Sequence, residues 1–142
     1  MLCELGLVAA LFLTAAGVQP VEPGRPFQVI VHPSNSISSL SNAELSAIFM
    51  RRTKSWPGGT EIIPVQPPPN SPLRHDFTRV IHQTTVAFVT RYWQRLIFAG
   101  RAIPPLEIAS DDDVAAFVRK TPGAIGYVQR APDDLKTIEV RP

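Results

Sequence analysis

The chain has 142 residues, 44% hydrophobic and 18% charged, with a formal net charge of +2. That length holds one domain with a sizeable core. The charge is mildly basic, which suits anions, but Asp111–Asp113 and Asp133–Asp134 interrupt it and no ladder of stacking aromatics accompanies the arginines, so nucleic acid is excluded as a partner.

Leu5 to Val18 is an apolar run of fourteen residues. It is too short to span a membrane and matches the core of a signal peptide, with Ala15-Ala16-Gly17 as small residues for cleavage. Residues 1–17 are therefore expected to be a signal peptide, 18–26 a polar Pro/Gly-containing tether, and 27–142 the domain. The mature form would have no membrane span and lie in the periplasm or otherwise outside the cytoplasm. Only Glu4, and no basic residue, carries charge ahead of the run, so a buried N-terminal helix stays open as the alternative. Cys3, the only cysteine, falls inside the leader, which leaves no disulfide, thiolate nucleophile or thiolate zinc site.

Phe27 to His32 reads as a buried strand between prolines. In LSNAELSAIFMRRTKSW, Leu40–Trp56, Ser41 and Glu44 form a capping box ahead of an apolar row of Ala43, Leu45, Ile48 and Phe49. Ile62 to Gln66 makes a second strand, which Pro67, Pro68 and Pro69 stop. Ser71 caps the next helix with Pro72 at its first position, and Phe77, Val80 and Ile81 form its buried row. A longer helix runs from Val86 to Phe98 and ends at Gly100, its aromatics Phe88, Tyr92, Trp93 and Phe98 assigned to the core. Leu106 to Ala109 is a short strand, and Ser110 caps a helix with an acidic first turn. Gly123 to Val128 and Thr137 to Val140 are the last strands. The alternation of strand and helix argues an α/β sandwich with a mostly parallel sheet.

Asn70-Ser71-Pro72-Leu73-Arg74 is the foremost binding candidate, because a helix start just past a strand's carboxyl end presents free amides and a positive dipole to an anion. Ser71 would add a hydroxyl and Arg74 a planar fork for two oxygens. The plainer reading leaves Ser71 as a cap and Arg74 solvated. Ser34 and Asn35, in the loop after the first strand, would share that edge if the strands were parallel, or would simply satisfy turn backbone. His75 and His82, seven residues apart, are badly spaced for a metal, and no metal or cofactor is expected. No nucleophile elbow, phosphate-loop glycine pattern or paired carboxylates appear, so catalysis is not expected.

The capped helix of Leu40–Trp56, the Ser-x-x-Arg helix start at Ser71 and Arg74, and the turn-strand PGAIGYV of Pro122–Val128 together resemble the second lobe of periplasmic phosphate-binding proteins, the solute-binding components of bacterial phosphate ABC transporters. The likeness runs from about Phe27 to Val128. It implies a single lobe of a type II periplasmic-binding-protein-like fold. It also implies that Ser71 stands where that family's ligand-gripping Ser-Gly-Thr turn begins. Pro72 and Leu73 replace the glycine and the threonine, and Pro67 and Pro69 stand where an arginine and an aspartate are usual. The function implied is binding of phosphate or another small anion for transport or sensing. The alternative is an accessory or interaction module of the cell envelope that has lost ligand capture and contacts an envelope or transporter protein. One lobe offers one wall of a cleft, and a homodimer would supply the other.

Overall fold

A computed structural model describes residues 25–142, so the leader and most of the tether expected from the sequence lie outside the described residues. Chain order is β1 (Gln28–Val31), β2 (Ser39–Ser41), α1 (Asn42–Phe49), β3 (Ile63–Gln66), α2 (Pro72–Phe77) with a π-helical continuation over Thr78–His82, α3 (Val86–Phe98), β4 (Leu106–Glu107), α4 (Asp111–Lys120), β5 (Ala124–Val128) and β6 (Lys136–Arg141). The six strands form one sheet in the order β2-β6-β1-β5-β3-β4.

Five of the strands run the same way and β1, near the middle, runs against them, paired antiparallel with both β5 and β6. Registers place Ile125 between Val31 on one side and Pro64 on the other. The start of β3 is thus level with the end of β1. The mostly parallel α/β sheet expected from the sequence is present, with a reversed strand in its interior. β2 was not expected, because Ser39 and Ser41 carry turn chemistry; only their pairing with Glu139 and Arg141 makes the segment a strand.

Strand pleating separates two cores. Val29, Val31, Ile125, Tyr127 and Ile138 face α1 and α2, meeting Leu45, Ile48, Phe49, Phe77 and Ile81. Ile30, Val65, Ala124 and Val128 face α4 through Val114, Ala115 and Val118. β5 is buried at all five positions, which is why PGAIGYV reads as a continuous apolar run. Its glycines are sterically required. A Cβ at Gly123 would lie 2.0 Å from the Glu61 carbonyl oxygen, and one at Gly126 would lie 2.9 Å from both Val114 and Val65 side chains.

Local signals act as expected at α1, where Ser41 Oγ accepts from the Glu44 amide at 3.1 Å and the Glu44 carboxylate accepts from the Ser41 amide at 2.8 Å. Ser110 caps α4 in the same way, accepting from the Asp113 amide. Ala43, by contrast, faces solvent, and the buried row of α1 is Leu45, Ile48 and Phe49. α3 stands outboard. Its Val89 and Trp93 pack with Met50 in a small separate cluster, so Trp93 is core as expected, but Phe88 and Phe98 are 50% and 92% exposed. The expectation that all the α3 aromatics are core fails because this helix touches the domain along one narrow stripe.

Candidate functional site

β3 ends at Gln66, and the chain turns through Pro67–Asn70 into α2 at the sheet's carboxyl edge. Three consecutive prolines cannot continue a ladder, so the chain leaves the sheet there, and Pro72 then opens the helix with its fixed φ. The turn is tightly held. The Ser71 amide donates to the Pro68 carbonyl at 3.0 Å and the His75 amide to the Ser71 carbonyl at 3.1 Å, while beside it the Ile108 amide donates to the Gln66 carbonyl at 2.9 Å.

Ser71 is half-buried and has the extended backbone of an N-cap, with φ −70° and ψ 130°, yet its hydroxyl makes no capping bond. Pro72 has no amide to offer. The Leu73 and Arg74 amides belong to the first helical turn and lack intrahelical acceptors. An uncommitted hydroxyl thus sits beside two first-turn amides. Asn70 is exposed next to them.

Arg74 lies elsewhere than either sequence reading placed it. It is 3% exposed, neither a solvated side chain nor a free fork. Its guanidinium donates to the Pro67 carbonyl at 2.7 Å and to Glu107, at the end of neighbouring β4, at 3.3 Å. It braces the proline turn from beneath. The Glu107 carboxylate, half-exposed, partly neutralises it.

Ser34 and Asn35 do not join this site. Because β1 runs against β3, its outgoing loop emerges at the opposite edge of the sheet. There His32 Nδ1 pairs with the Ser34 hydroxyl at 2.7 Å and the Asn35 side chain accepts from the Ile37 amide at 2.9 Å, so both residues serve the turn. Lys136 donates to the Asn35 carbonyl at 2.7 Å and ties that turn to β6.

The sequence carried no pointer to two further groups near this edge. Glu107 came into play only through the pairing of β4 with β3. Tyr127 stacks flat on Phe77, with ring centroids 3.8 Å apart, and its hydroxyl is buried with no hydrogen-bond partner. Burial pushes its pKa well up, with Arg74 opposing and Glu107 reinforcing that shift. In the π-helical continuation of α2, His82 Nδ1 meets the Ser46 hydroxyl at 2.8 Å. Burial, followed by the Arg74 and Arg52 charges, pushes the imidazole pKa down to about 4. His75 is exposed, apart from this pair, and no cluster of metal-binding side chains occurs among the described residues.

The model of the PBP superfamily domain matches residues 25–139. No curated protein matches the sequence. Similar solved structures include a putative phosphate ABC transporter substrate-binding protein with bound phosphate from Clostridium perfringens, at TM-score 0.65 and 15% identity over 81% of this chain and 44% of that one. An ABC-type phosphate transport receptor from Vibrio cholerae aligns at TM-score 0.64 and 15% identity, over 81% and 46% of the two chains. PstS from Borrelia burgdorferi aligns at TM-score 0.56 and 13% identity, over 81% and 47%. The chain spans less than half the length of each of these structures, and the likeness is one of fold.

Proposed function

Since the chain belongs to the PBP superfamily domain family, we propose that it is an exported solute-binding lobe that takes a small phosphate-like anion at the start of α2, for transport or sensing. The observation that carries this reading is the Ser71 hydroxyl, uncommitted as a cap and set beside the first-turn amides of Leu73 and Arg74 at the carboxyl edge of the sheet. Oriented amides and a hydroxyl hold an anion by hydrogen bonds and need no metal. The lobe binds and does not catalyse in this reading, since nothing beside the turn supplies a nucleophile with a positioned base. The solved structures with similar folds carry names of phosphate transport proteins, one with phosphate bound, and this supports the choice of ligand class. A facing wall from a second copy or another lobe would complete the cleft.

Capture by this wall alone is expected to be weak, because Pro72 removes one amide and Arg74 reaches the anion only through its field. Calorimetric titration with phosphate, sulfate and methylphosphonate, with the mass followed by size exclusion, is the test. A dissociation constant in the roughly millimolar range is expected, and Ser71→Ala should weaken it about fivefold to tenfold, the worth of one ordinary hydrogen bond. Absence of heat with all three anions would sink this reading. The second reading, an envelope interaction module without ligand capture, is favoured by one specific observation: Arg74 is spent on Pro67 and Glu107.

A further inference from the structure

All five exposed large hydrophobic side chains among the described residues fall in one stretch of chain: Phe88, Ile97, Phe98, Ile103 and Leu106. From Phe77 to Leu106 there is no acidic residue, while Arg79, Arg91, Arg95 and Arg101 all lie within it. Arg91, Arg95 and Arg101 are exposed and make no ion pair among the described residues. The apolar and cationic groups are also ordered on α3. Phe88, Arg91, Arg95 and Phe98 are spaced by three, four and three residues, which aligns them on one face. That face points roughly opposite the buried stripe of Val86, Val89 and Trp93 and is about 15 Å long. α3 is therefore anchored by one stripe and presents a second, aromatic and cationic, to solvent.

We propose that this outer face of α3 docks the domain on an anionic lipid surface, with Phe88 and Phe98 entering the headgroup and acyl boundary and Arg91 and Arg95 meeting the lipid phosphates. Charge complementarity selects the occupant. An acid-free segment with unpaired arginines is attracted to an anionic bilayer, and each arginine near that surface adds to the binding. Shape selects a bilayer over an acidic protein. Phe98 and Ile103 are 92% and 78% exposed, so little of the domain packs against them, and a deformable apolar phase accepts such side chains without a matching pocket. The guanidinium stems can lie along the boundary while their heads stay hydrated. This face is separate from the turn at Ser71, and the proposal stands whether or not that turn binds an anion.

Phe98→Trp in the full chain provides the reporter, since the native Trp56 and Trp93 are buried at 7% and 5% exposure. Its emission is to be followed with phosphatidylcholine vesicles containing roughly one-third phosphatidylglycerol, with neutral vesicles, and with brominated lipids as quenchers. A blue shift with quenching is expected in the anionic vesicles only, reversed by added salt. Adding Arg91→Glu and Arg95→Glu should weaken this binding about tenfold or more, at an unchanged melting temperature. An equal shift on neutral vesicles, no shift on anionic ones, or a shift indifferent to both arginine reversals would overturn the proposal. A shift without vesicles that tracks a doubled mass in solution would overturn it in favour of a second copy of the chain, and one that needs an added acidic protein in favour of a protein partner.

Discussion

Arg74 has the residue type and position of an anion clamp, one turn inside a helix at the sheet's carboxyl edge, yet its guanidinium is turned into the domain. The Pro67 carbonyl explains why. Three prolines leave the strand end without amide donors, and a buried carbonyl there costs free energy unless something donates to it. Arg74→Ala should therefore destabilise the domain by roughly 2–3 kcal/mol, the loss of a charged hydrogen bond and of packed methylenes, with Arg74→Lys recovering part of it. Urea denaturation midpoints would decide this, and a midpoint equal to wild type would mean that the turn does not depend on the arginine. Tyr127 makes the opposite case. Its buried hydroxyl has no hydrogen-bond partner, so Tyr127→Phe removes a desolvated polar group and keeps the ring stacked on Phe77. A stability equal to wild type or higher by up to about 1 kcal/mol is expected in the same measurement.

At the scale of elements, α1 and the π-helical continuation of α2 are joined by a polar contact as well as by apolar packing: Ser46 with His82, beside Ile48 and Ile81. The His82 pKa lies near 4 in the fold against an ordinary 6.5, because burial and the cations Arg74 and Arg52 disfavour its charged form. The unfolded chain therefore takes up the proton more readily than the folded one, and stability falls as pH drops. The loss begins near pH 6.5 and levels off below about pH 4, reaching on the order of 3 kcal/mol. Urea midpoints at pH 7 and pH 4.5 should show a decrease for wild type that is clearly smaller for His82→Gln. Equal decreases in both would assign the acid sensitivity to other groups. α3 shows the limit of periodicity as a guide. Its apolar residues recur at helical spacing on two faces, and nothing in that spacing says which face meets the domain.

For the molecule as a whole, the lobe is built around β5, apolar on both faces, with helices from both sides covering it. The features legible in the sequence were those with local causes. The capping box at Ser41 and Glu44, the proline stops after β3, the acidic first turn of α4 and the short buried strand β1 follow from short-range sterics, hydrogen bonds, dipoles and apolar composition, and each is present. So is the α/β class, since alternating strand and helix periods leave few ways to bury a sheet. The direction of β1 was settled only by the tertiary structure. A short strand has the same sequence pattern in either direction, and pairing with β5 and β6 decides it; that one reversal sends Ser34 and Asn35 to the far edge from Ser71. The inward turn of Arg74 likewise needs Pro67 and Glu107, its acceptors, brought together by a loop and a neighbouring strand thirty-three residues away. By itself the sequence determined every strand and helix except β2, where most of them stop, and which residue types stand at the turn. Which groups meet there was decided by long-range pairing, because contacts between distant segments depend on strand order and direction, which local preference does not encode.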